Sequence, residues 1–319
     1  MIKVDLITDF LGAGKTTFII QYAKYLLSQG MRIAIIENDF GAINVDRLIL
    51  QQVFGDDFGD AVQLEMVIGG NDLDCHRRRL KTKLITMGME RYDYVLVEPS
   101  GIFDVEEFFD LLYEEPLDHW YQIGNVISIV DAKAERNLSK ESEYILASQL
   151  AKAGKIVLSK STGISREETA EIMKYLNQRL ADIGCKRVLN DKDVLAREWE
   201  HMTAEDYKDI LTCGYTGYEY IKQKIVEDGG YNSLFFFHVQ LSIDSLKEII
   251  KKIIEDERCG NVFRIKGYLP KQDGWLEINA TKQDISIKPS AVGQEVFIVI
   301  GENLDEHVIG RYWENRREQ

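Results

Sequence analysis

A short stretch near the start of the chain, FLGAGKTT at residues 10–17, combines two glycines, a lysine and two threonines. In a phosphate-binding loop, the glycines let backbone N–H groups surround the phosphates, the lysine reaches the β and γ oxygens, and the next hydroxyl binds Mg²⁺. A helix that begins at such a loop adds a dipole that favours the anion. The residues in these positions are Gly12, Ala13, Gly14, Lys15, Thr16 and Thr17. Their order and spacing predict a binding site for a nucleoside triphosphate.

One position departs from the usual loop pattern. Asp9 stands four residues before Ala13, where the pattern has a glycine. Aspartate can adopt left-handed backbone geometry at modest cost, so the loop can still form. A carboxylate near the phosphates would weaken nucleotide binding unless it points away or faces Mg²⁺.

The elements around the loop are typical of an α/β domain. An apolar run at 3–8 precedes the loop, and a helix-period pattern follows it from Thr16. Further apolar runs without polar alternation predict parallel strands covered on both faces, at 32–38, 61–66, 92–98, 125–130 and 155–159. Helix-period stretches lie between or after them, at 75–89, 105–113, 143–153 and 165–180, and the last opens with a capping box of Ser165 and Glu168. We therefore expect a doubly wound, mostly parallel sheet.

The pattern changes after about residue 230. A strand at 233–241 and an amphipathic helix around 246–254 precede four short strands without intervening helices, and a last helix begins at about Leu304. This order predicts a smaller α+β domain. We therefore expect an NTPase domain at 1–228 and a C-terminal domain at 229–319.

The composition is that of a globular chain. Hydrophobic residues make up 45% of the 319, enough for a sizeable core, while the net charge of −14 argues against binding nucleic acid or anionic membranes through bulk charge. No window approaches the ~20 apolar residues that span a bilayer, and Lys3, Asp5 and Asp9 fall where a signal peptide would be apolar. The 4 cysteines have no paired spacing, which suits a reducing compartment. We expect a cytoplasmic protein.

Several further motifs follow the loop in order. They are ENDFG at 37–41 with Asp46 downstream, VEPSG at 97–101, SIVDA at 128–132, RIKGY at 264–268 and FIVIGENLD at 297–305. Together with the loop, this combination resembles the CobW family of GTPases, relatives of the HypB and UreG nickel chaperones. The resemblance covers nearly the whole chain, and it implies a P-loop NTPase domain followed by the family's C-terminal domain.

The VEPSG motif supplies a carboxylate at the end of a buried strand beside the strand of the loop. Glu98 can hold Mg²⁺ there through water, and Gly101 can turn towards the γ-phosphate. The resemblance implies that Lys15, Thr16 and Glu98 carry the hydrolysis, with Mg²⁺ held by Thr16 and Glu98. It also implies that ENDFG is a switch that senses the γ-phosphate, with Asp39 lending a carboxylate to a metal. An Asx-rich turn is the alternative interpretation of that stretch.

GTPases of this kind usually select guanine with an Asn-Lys-x-Asp motif, whose carboxylate accepts from N1 and from the exocyclic amine of the base. The matching stretch in this chain is Ser159, Lys160, Ser161 and Thr162. Serine is tolerable in place of asparagine, and Lys160 can cover the base with its aliphatic stem. Thr162 has no carboxylate, so the two-donor recognition is lost at that position and ATP remains an alternative to GTP.

The resemblance also calls for a Cys-x-Cys-Cys triplet after the third strand, whose thiolates with Asp or Glu would bind Zn²⁺ or Co²⁺. This chain has EMVIGGNDLDCHRRR at 65–79. Cys75 and His76, with Asp72 and Asp74 nearby, offer sulfur, nitrogen and oxygen ligands for such a metal. The alternative is a loop that enters a helix with Asp74 as its cap.

These motifs predict a GTPase that is slow without its client. By the resemblance, it delivers a metal, or a metal-bearing cofactor, to a client metalloprotein or corrinoid-type protein, and a nucleotide-dependent homodimer is allowed. The alternative is a metal-independent switch or an ATP-preferring NTPase with little turnover, because Asp9, Thr162 and the missing cysteines all depart from the pattern. A small-molecule kinase would fit the loop, but it does not explain ENDFG or RIKGY.

Overall fold

The computed structural model describes residues 1–10, 13–39, 45–55, 59–68, 73–99, 105–134, 136, 138–223, 231–239 and 241–314. At 38, 39, 45–48, 59, 68, 73–75 and 231 it describes the backbone alone. The predicted positions Gly12, Asp72 and Gly101 lie outside the described residues.

The first part of the chain forms a seven-stranded sheet in the order β3-β2-β4-β1-β5-β6-β7. Its strands are β1 (Ile2–Asp9), β2 (Ile33–Asp39), β3 (Val62–Ile68), β4 (Tyr94–Pro99), β5 (Tyr121–Asp131), β6 (Lys155–Ser159) and β7 (Val194–Ala196). Every described pairing in this sheet is parallel. All residues of β4 and β6 are buried, and because successive side chains point to opposite faces, both faces must be covered. The predicted doubly wound sheet is confirmed.

Eight described helices accompany this sheet: α1 (Lys15–Ser28), α2 (Val45–Phe54), α3 (Leu73–Gly88), α4 (Val105–Leu112), α5 (Leu117–Trp120), α6 (Lys140–Lys152), α7 (Arg166–Asp182) and α8 (Ala204–Leu211). Helix α7 opens with the predicted capping box, in which Ser165 Oγ accepts from the Glu168 N–H. A second capping box, of Thr203 and Asp206, opens α8. None of the elements α2, α5, α8 and β7 was predicted from the sequence.

Helix α1 covers the middle of the sheet. Its buried residues Phe18, Tyr22 and Leu26 share one core with Ile7 of β1 and Ile35 of β2. Their spacing of four residues puts them on one helix face. This packing fixes the amino end of α1 next to the carboxyl end of β1, where the loop motif lies.

The last part of the chain forms a five-stranded antiparallel sheet in the order β11-β10-β9-β12-β8. Its elements are β8 (Tyr231–Phe237), α9 (Ile243–Glu255), β9 (Asn261–Lys271), β10 (Gly274–Thr281), β11 (Ile285–Ser290), β12 (Val296–Glu302) and α10 (Glu306–Glu314). The predicted apolar face of α9, with Leu246, Ile250 and Ile253, is buried against this sheet. The predicted α+β character of this part is confirmed.

The chain divides into two compact units, Met1–Ala134 with Glu143–Gln223, and Glu135–Ser142 with Lys224–Gln319. The predicted boundary at 228/229 falls within residues 224–230, which lie outside the described part. The segment 135–142 belongs with the second unit because Glu302 of β12 accepts hydrogen bonds from the Ser139 N–H, at 3.0 Å, and from the Ser142 hydroxyl. Across the described ranges, no helix is both long and apolar enough to cross a membrane.

Candidate functional site

The phosphate-binding motif lies where strand β1 ends and helix α1 begins. Gly14 is the N-cap of α1 and has φ +106°, a left-handed conformation that glycine adopts without a side-chain clash. No side chain caps this helix end, and its first turn contains no acidic residue. Ala13 is buried and Thr17 is exposed. The first-turn N–H groups of a helix in this setting form a site for an anion.

Lys15, the first residue of α1, forms an ion pair with Asp9 at the end of β1. The Asp9 side chain is 2% exposed and that of Lys15 is 11% exposed, so water screens the pair little. Asp9 does not use the left-handed geometry considered for it; its backbone is extended as the last residue of the strand. The Asp9 carboxylate does not point away from the loop, because it contacts the Lys15 ammonium group.

Thr16 and Glu98 lie together, as the sequence predicted for a pair that shares Mg²⁺. The Thr16 hydroxyl donates to Glu98 Oε1 at 3.0 Å. Glu98 is 9% exposed and sits on β4, which is the neighbour of β1 in the sheet. A hydroxyl and a carboxylate are hard oxygen ligands, which is the donor chemistry that Mg²⁺ prefers. The described residues therefore fit this ion.

A second buried carboxylate, Glu37 on β2, lies directly opposite Glu98 in the β2–β4 register. It is 3% exposed, and residues paired across neighbouring strands point to the same face of the sheet. Asp39 follows two residues later at the end of β2, but its side chain lies outside the described part. No role was predicted for Glu37 from the sequence. A lone glutamate that follows the apolar residues 33–36 was the signal that could have found it.

The predicted transition-metal residues lie at the start of α3. The helix begins at Leu73, so Asp74 is its second residue and not the cap considered for it. His76 is buried, with 4% exposure, whereas the side chains of Asp74 and Cys75 lie outside the described part. No group of three or more metal-binding side chains occurs among the residues that are described. The Zn²⁺ or Co²⁺ site at Cys75 and His76 stays a prediction.

The predicted base-recognition stretch follows β6. Ser159 ends that strand, is 1% exposed, and donates to the Val130 carbonyl at 3.4 Å. Lys160 has φ +52°, and its ammonium group pairs with the Asp131 carboxylate at the end of β5. Its stem remains accessible, since the side chain is 45% exposed. Lys160 is therefore placed on the edge of the sheet at which parallel strands end.

A carboxylate does lie at the base-recognition stretch, although residue 162 is not acidic. Glu198 Oε1 accepts from the Thr162 N–H at 2.6 Å and from the Thr162 hydroxyl at 2.8 Å. Glu198 comes two residues after β7, which pairs with β6 so that Ala196 lies opposite Leu158. The sequence reading missed Glu198, because β7 is only three residues long and gives no periodic signal.

The residue after Glu198 lies near the phosphate-binding loop. A Cβ built on Gly14 would lie 3.7 Å from the indole ring of Trp199, which is ordinary van der Waals contact. The same indole packs against Phe18 of α1, with 5.5 Å between ring centroids. In the segment 198–199, Glu198 therefore contacts the base-recognition stretch, and Trp199 packs on α1 near the phosphate-binding loop.

Residues 3–184 match the family model described as the CobW/HypB/UreG nucleotide-binding domain. This match covers more than half of the chain. The chain belongs to the CobW/HypB/UreG family. The motifs of the first unit place their described residues at the carboxyl ends of β1, β2, β4, β5 and β6, which form one edge of the seven-stranded sheet.

Relatives of this CobW-family chain include two zinc chaperones of Escherichia coli. YjiA is 30% identical over 198 residues, which are 58% of this chain and 55% of YjiA, and YeiR is 22% identical over 312 residues, which are 92% of this chain and 90% of YeiR. Apart from YeiR, the named relatives are matched over about half of their length or less. The crystal structure of Zn(II)-bound YjiA aligns over 99% of both chains, with 19% identity and a TM-score of 0.38.

Proposed function

We propose that this chain binds GTP with Mg²⁺, hydrolyses the β–γ phosphoanhydride slowly, and couples this cycle to the delivery of a metal or metal-bearing cofactor to a client protein. The observation that carries the proposal is the Thr16–Glu98 hydrogen bond beside the uncapped amino end of α1. Family membership supports it, because relatives are named zinc chaperones and zinc-regulated GTPase metalloprotein activators.

The residues of the loop divide the work on the triphosphate. The α1 N–H groups and Gly14 accommodate the phosphates, and Lys15 exchanges Asp9 for the β and γ oxygens. Thr16 and Glu98 are the groups that would hold Mg²⁺, which neutralises charge on the phosphate oxygens when bound. Gly101 is the proposed partner of the γ-phosphate. Turnover without a client is slow, because the sequence from 97 to 107 offers neither a glutamine nor an arginine near Glu98.

The proposed cargo is Zn²⁺ or Co²⁺, bound near the start of α3. Cys75 and His76 would supply the sulfur and nitrogen ligands, and Asp39 would add an oxygen ligand from the end of β2. The proposed switches are residues 38–46 and 98–104, which would change between nucleotide states. The receiving partner is a client metalloprotein or a corrinoid-type protein, and a nucleotide-dependent homodimer is the proposed assembly.

One observation favours a second candidate function. The stretch 65–79 contains a single cysteine where the family resemblance calls for three. A metal-independent nucleotide switch, or an ATP-preferring NTPase that acts by binding a partner protein, would need no such triplet.

Calorimetric titration of the metal-stripped full chain with GTP and with ATP, each with Mg²⁺, tests both functions. The titrations are repeated after addition of Zn²⁺ or Co²⁺. GTP binding that becomes tighter with the metal supports metal delivery. Preference for ATP, or binding that is indifferent to the metal, supports the second candidate. If neither nucleotide binds, both functions are contradicted.

A further inference from the structure

We propose that Glu198 is the residue that selects guanine in this chain, and that Thr162 positions it. This inference rests on the proposed GTP binding and adds the group that recognises the base. Guanine carries two neighbouring donors, N1–H and the exocyclic amine, whereas adenine has an acceptor at N1 and no amine at C2. A carboxylate has only acceptors, on two oxygens, so it suits the guanine edge and repels the adenine edge.

The fold places Glu198 at the edge of the sheet where a nucleotide would bind. Strands β6 and β7 are parallel neighbours, so the residues that follow them, 160–162 and 197–199, leave the sheet at the same edge. The phosphate-binding loop follows β1 at that edge too. In open parallel sheets, ligands bind at the carboxyl ends of the strands.

Contacts of the next residue bring Glu198 close to the phosphate-binding loop. The Trp199 indole packs against Phe18 of the helix that would hold the phosphates, and it lies near Gly14, the N-cap of that helix. A nucleotide with its phosphates at α1 and its base at residues 160–162 would therefore extend past the segment 198–199.

The geometry of the carboxylate fits recognition of a ligand. Glu198 is the N-cap residue of a short 3-10 turn, Trp199–His201, yet its side chain makes no capping hydrogen bond. It extends to Thr162 instead, and both Thr162 donors bind the same oxygen, Oε1. No hydrogen bond to Oε2 is made by the residues that the structure describes, and the side chain is half-buried. Oε2 thus keeps both of its lone-pair sites, so this one oxygen can accept from N1–H and from the amine.

The two cationic side chains nearest in sequence to Glu198 and Thr162 pair with other carboxylates. Lys160 lies two residues before Thr162, but its ammonium group pairs with Asp131. Arg197, the residue before Glu198, donates to Asp206 at 2.7 Å. The Glu198 carboxylate can therefore accept hydrogen bonds from a ligand. Thr162 cannot take this role, because it has no carboxylate.

The test uses affinities of the full chain for GTP, XTP and ATP, measured by calorimetry with Mg²⁺. In Glu198→Gln, an amide replaces one carboxylate oxygen with a donor, which suits the C2 carbonyl of xanthine and not the C2 amine of guanine. We expect GTP affinity to fall by about 10- to 100-fold and the preference to move from GTP towards XTP. The matched control is Glu200→Gln, which removes the same charge from an exposed neighbour and should change neither affinity.

A double variant separates base selection from a structural tie between the two loops. Thr162→Asp combined with Glu198→Gln returns a carboxylate to the stretch after β6, and we expect it to regain GTP preference over XTP. The inference is overturned if Glu198→Gln keeps the wild-type ratio of GTP to XTP affinity, or if the double variant regains no preference. If the wild type binds GTP but the variants do not behave as expected, only the role of Glu198 is contradicted and the proposed function stands. If the wild type binds no GTP, the proposed function and the role of Glu198 are both contradicted.

Discussion

Asp9 and Lys15 form an ion pair in which the carboxylate stands where a phosphate-binding loop usually has glycine. The lysine that would contact the β and γ oxygens is therefore held by a group of the protein. Nucleotide phosphates would therefore compete with Asp9 for Lys15. Asp9 is buried, so the competition is stronger than it would be between exposed charges.

The first prediction concerns this competition. Asp9→Asn removes the charge that holds Lys15, and we expect the affinity for GTP–Mg²⁺ to rise by roughly tenfold. Calorimetry measures the change, with Asp191→Asn as a control for the loss of one exposed negative charge. A lower affinity in Asp9→Asn would contradict this account and would indicate that Asp9 binds the metal of the nucleotide complex.

The second prediction concerns Glu98. Glu98→Gln keeps the size of the side chain and the acceptor for the Thr16 hydroxyl, but it removes the charge that would hold Mg²⁺. We expect the GTP hydrolysis rate to fall by roughly 100-fold, while nucleotide binding in the presence of EDTA changes little. Phosphate release in single-turnover assays provides the measurement. Glu167→Gln, at an exposed position, is the control. An unchanged hydrolysis rate in Glu98→Gln would contradict the role of Glu98 in holding Mg²⁺.

The third prediction uses the position of Trp199 near Gly14. Nucleotide phosphates at the loop would change the surroundings of this indole, so the tryptophan fluorescence should shift on titration with GTP–Mg²⁺. The chain has 4 tryptophans, and Trp199→Phe should abolish most of the signal while retaining the contact with Phe18. If the full signal persists in Trp199→Phe, the segment after β7 does not approach the bound nucleotide.

The fourth prediction concerns stability and pH. Asp5 on β1 is fully buried, and burial raises its pKa to about 6 although Asn125 and Tyr22 donate hydrogen bonds to it. The folded state therefore binds this proton more tightly than the unfolded state, so the Asp5 contribution to the free energy of unfolding falls as pH rises from about 4 to 6. The upper limit of this fall is roughly 3 kcal/mol.

The check is the difference between wild type and Asp5→Asn in urea unfolding at pH 4 and pH 7. Other carboxylates act in the opposite direction in both proteins, so the comparison isolates Asp5. We expect the wild type to gain less stability between the two pH values than the variant does. Equal gains would show that Asp5 is ionised in the folded state across this range.

Strands β1 to β6 were predictable from the sequence because each contains a largely apolar run with a clear boundary, although β3 is mostly half-buried and includes Gln63 and Glu65. Residues Lys15, Thr16 and Glu98 were predictable because their motifs are local. Strand β7 was not, since three residues carry no period. The approach of Glu198 to Thr162 joins positions 36 residues apart, and such a contact depends on strand pairing and not on local pattern. The Asp9–Lys15 ion pair likewise could not be predicted from the sequence, because it depends on how the loop brings the two side chains together.

In the proposed cycle, the nucleotide state controls metal binding at Cys75 and His76. Linkage requires that if metal changes GTP affinity, GTP must change metal affinity by the same factor. The most direct measurement is the Zn²⁺ affinity of the metal-stripped chain with a non-hydrolysable GTP analogue and with GDP, using Cys75→Ser for comparison. We predict affinities that differ by about tenfold or more between the two nucleotides and a loss of this difference in Cys75→Ser. Equal Zn²⁺ affinities in both nucleotide states would contradict metal delivery.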